Sequence, residues 1–138
     1  MKVRIGPYRK NRAEHIEIES FDTWNMDQTL AKVIAPMLKQ LKETKHGAPF
    51  VNTGDVPKEL RPSVQEVVQW EKDGTTDDKF FKRWDWVLDQ MIYSFEYSAD
   101  DERDILLDIK DSDERAKEQD RIDNGFMLFG KYYQNLWD

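Results

Sequence analysis

The stretch "FFKRWDWVLDQMIYSFEY", Phe80 to Tyr97, constrains the fold most. On a helical wheel Phe80, Phe81, Trp84, Val87, Leu88, Met91, Ile92 and Phe95 share one broad face, the spacing of a core stripe. Trp86, Tyr93 and Tyr97 fall on the opposite face. A helix that is apolar on both sides either lies centrally in a bundle, as such helices usually do, or offers its second face to something else. In both cases it needs partners, and the remainder of the chain must supply at least one.

The flanking segments read as further helices. From Asn25, a candidate N-cap with Gln28 as capping-box partner, Leu30, Val33, Ile34, Met37, Leu38 and Leu41 follow helical spacing. Pro36 predicts a kink in this helix, and Gly47 and Pro49 end it. Residues 46–62, rich in proline and glycine, read as an ordered loop over the surface. Ser63 with Glu66 opens a short helix that stops at Gly74, and Thr76 followed by Asp77 and Asp78 is the candidate start of the long apolar one. An acidic connector at 98–112 leads to a last helix over 113–138. There Ile122, Phe126, Phe129, Tyr133 and Leu136 recur at heptad-like steps as the expected core stripe, leaving Asn124, Gly125, Gly130, Lys131 and Tyr132 off it. Ahead of all this, "KVRI" and "HIEIE" alternate in period 2 around a Gly-Pro tip, predicting a hairpin within residues 1–22. The expected architecture is a single α+β domain, mostly α, with an N-terminal β-hairpin packed on a small helical bundle.

A chain of 138 residues with no cysteine is long enough to bury a core without staples. It excludes disulfides, thiolate metal sites and a cysteine nucleophile. No apolar run is long enough to span a bilayer, and the reading is a soluble, cytoplasmic protein with no membrane partner. The net charge of −7 is uneven: +3 over residues 1–50, −4 over 51–97 and −6 over 98–123. That distribution argues against duplex nucleic acid as a partner and leaves a basic N-terminal third that could hold a small anion.

Three kinds of chemistry compete. Helical nucleotide hydrolases hold magnesium with paired acids at helical spacing, and Asp101 with Asp104, Asp120 with Asp123, and Asp85, Asp89 and Glu96 have that form. In so acidic a segment such pairs arise by chance, so no catalytic residue, metal or cofactor is assigned. A ligand pocket is the second possibility: Lys42, Lys45, His46, Arg83 and Lys131 could meet phosphates while Trp86 and Tyr132 stack on a base, with Asn124 beside them. For His46 the bland alternative is a cap on a helix end. The third is a partner surface of Trp86, Tyr93 and Tyr97, which, like the last helix, could also make a homodimer. Gly125 and Gly130 each cost a helix about 1 kcal/mol against alanine, so close helix packing or close approach of a ligand is expected at them.

The blocks "TWNMDQTLAKVIAPMLKQLKETKHGAPFV", "DVP", "FKRWDWVLDQMIYSFE" and "RIDNGFMLFGKYYQNLWD", in that order, resemble a family of tailed-bacteriophage accessory proteins without an assigned activity. The resemblance covers most of the chain beyond the first 20 residues and outside the connector. Members often carry His where this chain has Gln28, and a longer insertion where it has 98–118. The resemblance implies a protein acting in the cytoplasm of an infected bacterium, in counter-defence, by non-catalytic binding. Its partner would be a small phosphorylated, nucleotide-type immune signal that it sequesters or, alternatively, a host or phage protein that it grips, in the virion or as an inhibitor. A magnesium-dependent nucleotide hydrolase is the remaining alternative.

Overall fold

The computed structural model describes residues 1–100 and 104–138. Its elements are β1 (Lys2–Ile5), β2 (Glu14–Glu17), α1 (Ser20–Trp24), α2 (Met26–Thr44), α3 (Val64–Asp73), α4 (Phe80–Ala99), α5 (Ile105–Asp108) and α6 (Ser112–Lys131). Short 3-10 turns lie at Thr53–Asp55, Lys58–Leu60 and Tyr133–Asn135. The class is α+β and mostly α, as the sequence predicts. No helix among the described residues is long and apolar enough to cross a membrane.

The long apolar helix is central. In α4, Trp84, Val87, Leu88 and Met91 are completely buried, and α2 and α6 both pack chiefly on it. α2 approaches through Ala31, Ala35 and Leu38, buried one helical turn apart, where two small side chains let the axes come close. α6 approaches through Ile122, Gly125, Leu128 and the following Tyr132, all buried. A Cβ placed on Gly125 would overlap Ser94 Oγ and the Gln90 carbonyl oxygen of α4. Ser94, fully buried, donates its hydroxyl to the Ile122 carbonyl at 2.7 Å. Close helix packing is therefore the reason for Gly125, whereas a Cβ on Gly130 would meet nothing within 4 Å.

This corrects the expected stripe of the last helix. Phe126 and Tyr133, expected as core anchors, are exposed, and Tyr132, expected off the stripe, is buried. The helix also ends at Lys131 instead of running to 138, because Tyr132 turns inward as its C-cap and a 3-10 turn follows. α4 begins at Phe80, four residues after the expected Thr76, and Asp77 joins its start by accepting from Lys79 N–H at 3.3 Å and from Arg83 at 2.9 Å. α3 follows expectation: Ser63 N–H donates to Glu66 at 2.6 Å, Glu66 N–H donates back to Ser63 at 3.2 Å, and Gly74 takes the left-handed conformation at φ 75°. α2 starts after Asn25, but the Asn25 amide donates to the Gln28 side chain and no side-chain cap bond forms on the backbone. The helix continues across Pro36. The 46–62 segment is more than a surface loop, since Val51 and Val56 are buried in the main core.

The hairpin pairs Val3 with Ile16 and Ile5 with Glu14. It adds nothing to the core, for all eight strand residues are exposed. The Met1 ammonium pairs with Asp22 of α1 at 2.6 Å and so ties the ribbon to the helices. The connector contains α5 and ends at Asp111, whose carboxylate accepts the Asp113 and Glu114 N–H groups at 3.0 and 2.9 Å to open α6.

Candidate functional site

Each candidate phosphate-binding cation points at a carboxylate. Along the α2–α4 seam, Lys39 pairs with Glu96, Lys42 with Asp89 at 2.6 Å, and Lys45 with Asp85. These acids are the ones read as possible magnesium ligands on α4. His46 does not cap α2: its ring meets Asp138 Oδ2 at 2.9 Å and its backbone N–H donates to the same carboxylate, which holds that acid below its ordinary value. Arg83 is buried, with both terminal nitrogens on Asp77 and one donating to the Leu60 carbonyl at 3.0 Å. Asp104 caps α5 and Asp123 accepts a hydrogen bond from Gln119 at 2.8 Å; Asp101 lies outside the described residues. Glu66, Asp77 and Asp78 lie close enough to share a cation. Glu66 is already engaged by Ser63 and Asp77 by Arg83.

Lys131 and Tyr132 form a clip on the loop. Asp55 accepts from Lys131 Nζ at 2.6 Å and from the Tyr132 hydroxyl at 2.6 Å, while Asn52 N–H donates to that hydroxyl at 2.9 Å. The Tyr132 ring sits edge-on to Trp84 with centroids 5.8 Å apart. Burial first, and then the Asp55 carboxylate, push the Tyr132 hydroxyl up to about 12 from 10.0. Its folded value lies above its unfolded one, so its contribution to stability is complete below pH 10 and disappears as pH rises through about 12. A spectrophotometric titration of tyrosinate should show a last step near pH 12 that Tyr132→Phe removes. The same substitution should cost about 1–3 kcal/mol at neutral pH, because Asn52 N–H and Asp55 each lose a buried partner.

The second aromatic face of α4 is engaged within the chain. Trp86 is half-buried and packs on the main core. The Tyr93 hydroxyl donates to Glu118 of α6, and Arg121 lies over its ring at 3.5 Å. The Tyr97 hydroxyl donates to Asp104 at 3.1 Å. Both hydroxyls are raised above their ordinary values, Tyr93 chiefly by Glu118 and Tyr97 chiefly by burial. Of the two arrangements open to such a helix, the central one is found. Asn124 is half-buried on α6.

What stays open lies between α2 and α6. A groove of about 930 Å³ has Ile34, Met37 and Leu41 on one wall and Phe129, Tyr133 and Leu136 on the other. A second, of about 510 Å³, continues past Leu30, Phe95, Ile122 and Phe126 and shares Ile34 and Phe129 with the first. Together they form one apolar trough between α2 and α6, with Phe95 of α4 lining its second part. Edge-on contacts order its aromatics: Phe95 to Phe129 at 4.7 Å, Phe95 to Phe126 at 5.2 Å and Phe129 to Tyr133 at 5.6 Å between centroids. Met37 on its wall is 65 % exposed.

No family model, curated protein or solved structure matches this chain. None of the eight residues proposed to bind a ligand lines the trough, and no lysine or arginine among the described residues does. Among the described residues its lining is apolar with a few neutral polar groups and one charged residue, Asp27, in the first turn of α2; Asp120 and Asp123 on the adjoining turns of α6 are exposed. Sequence reasoning missed this site by assigning its residues to the core. The available signal was excess: α2 carries more large apolar residues than one buried stripe needs, while its alanines make the contact with α4.

Proposed function

We propose that this chain is a non-catalytic docking module whose α2/α6 trough receives an apolar, basic-flanked segment of a partner protein. The observation that carries the reading is an open apolar trough between two long helices, whose one charged lining residue among those described is the acid Asp27. An amphipathic segment laid in such a groove buries its apolar side chains and keeps its charges at the rim. Capture of a phosphorylated ligand has weaker support, since its candidate cations face carboxylates and line neither groove. The resemblance to tailed-phage accessory proteins supports a host or phage protein as the partner, met in the infected cell.

The test uses two synthetic amphipathic helical peptides of identical apolar pattern, one flanked by lysine and one by glutamate. Calorimetry should show the basic peptide binding, the acidic one binding at least about tenfold more weakly, and Met37→Asp abolishing the stronger interaction. Equal binding of both to the monomeric chain, or none, sinks the proposal. Heat from a panel of nucleotides that survives Met37→Asp would restore the ligand-capture reading.

A further inference from the structure

The N-terminal ribbon stands outside the core, with every strand residue exposed. Its register puts Val3 opposite Ile16, and the strand period of two places Ile5 and Ile18 on the same side as that pair. All four are exposed, Ile16 by 57 %. Phe21 and Trp24 of the adjoining α1 stack at 5.6 Å between centroids, and Trp24 is 80 % exposed. A two-stranded hairpin with nothing on its apolar face is marginal in water. Such a face calls for a cover, and no hairpin residue lines the protein's own trough.

Charge selects the cover. Residues 1–18 carry five lysines and arginines against two acids. They form an apolar segment with a basic flank, the chemistry inferred above for the occupant of the trough. The trough is lined in part by Gln119 and Ile122 of α6, within residues 104–123, which carry eight acids against four bases. One chain thus holds both halves of a complementary pair.

We infer that two copies of this protein exchange hairpins, the Val3, Ile5, Ile16 and Ile18 face of each seating in the α2/α6 trough of the other. The inference rests on the docking reading of the trough and names its occupant. Donor and acceptor are different patches, so a single contact would propagate head to tail, whereas reciprocal exchange closes it on a two-fold axis. A stable dimer buries about 1,200–2,000 Å² in total, so each of two exchanged hairpins needs to bury about half of that. The trough would then be free for another partner only when the dimer opens.

Sedimentation equilibrium of the full chain tests this. The expected particle has twice the 16.5 kDa chain mass, and its dissociation constant rises with salt as opposite charges are screened. Ile16→Asp on the hairpin and Met37→Asp in the trough should each weaken the dimer at least about a hundredfold, since each spoils both contacts. Both positions are exposed in the chain itself, so circular dichroism should show an unchanged helix content. Mixing the two variants should restore a dimer, because the heterodimer keeps one intact hairpin in one intact trough. A monomeric wild type, a dimer indifferent to Ile16→Asp, an open-ended polymer or a mixture that stays monomeric would each overturn the exchange. The basic peptide binding to monomeric Ile16→Asp separates the two ideas: if it binds, the docking reading stands whatever the fate of the dimer, and if it does not, that reading fails on its own.

Discussion

Gly125→Ala should lower the thermal midpoint by roughly 8 °C, while Gly130→Ala, in the same helix, raises it slightly. At both positions alanine gains helix propensity, about 1 kcal/mol in a helix interior and less near the end where Gly130 lies. The surroundings decide the sign. A Cβ on Gly125 would overlap the Gln90 carbonyl oxygen and Ser94 Oγ and stand 2.8 Å from Ser94 Cβ. Two of those atoms cannot rotate away, so α6 must move off α4. Overpacking of that kind costs about 3 kcal/mol, which leaves a net loss of about 2 kcal/mol. Ser94→Ala in the same chain should not rescue it, because the backbone carbonyl remains and the Ser94 to Ile122 hydrogen bond at 2.7 Å is lost. A Gly125→Ala protein that melts at or above the wild-type temperature would show that the helices do not approach this closely.

The same contact explains where the sequence is legible and where it is not. Local signals carry far: the Ser63 and Glu66 box and the left-handed Gly74 depend on residues a few positions apart, the hairpin on strands joined by one short tip, and all are present. The central place of α4 is legible as well, because a helix that is apolar on both sides has few other solutions. The faces of its neighbours are not. Large apolar residues draw attention to Phe126, Phe129 and Tyr133, yet closest approach is made by Ala31, Ala35 and Gly125, and the large residues are left to line the trough. The cations fail for a related reason. Lys42, Lys45 and Lys131 look unpaired in the sequence because Asp89, Asp85 and Asp55 are at least 40 positions away, and only the packing of α2 and α6 brings them into range.

Arg83→Met should destabilise the protein by about 3–5 kcal/mol, the cost of leaving a buried charge without its partner. Arg83 is 1 % exposed and the Asp77 side chain is sealed. The guanidinium also donates to the Leu60 carbonyl at 3.0 Å and lies 5.4 Å from the Trp70 ring centroid, so it joins the loop, α3 and the start of α4. In the wild type its hydrogen bonds hold the Asp77 carboxyl below the usual 3.8. That contribution to stability is present above pH 3.8 and is lost as pH falls through the lower folded value. In Arg83→Met the sign reverses: a buried, unpaired carboxylate has a raised value, so the variant should gain stability relative to wild type as pH falls from 7 toward 4. Arg83→Met combined with Asp77→Leu should recover most of the loss, since a packed apolar pair replaces a buried ion pair at little cost. About 1 kcal/mol should stay missing for the Leu60 carbonyl. Chemical denaturation of the three variants at two pH values provides the check. An arginine kept for a phosphate ligand would behave in the opposite way, with binding lost on Arg83→Met, stability near wild type, and nothing returned by changing Asp77.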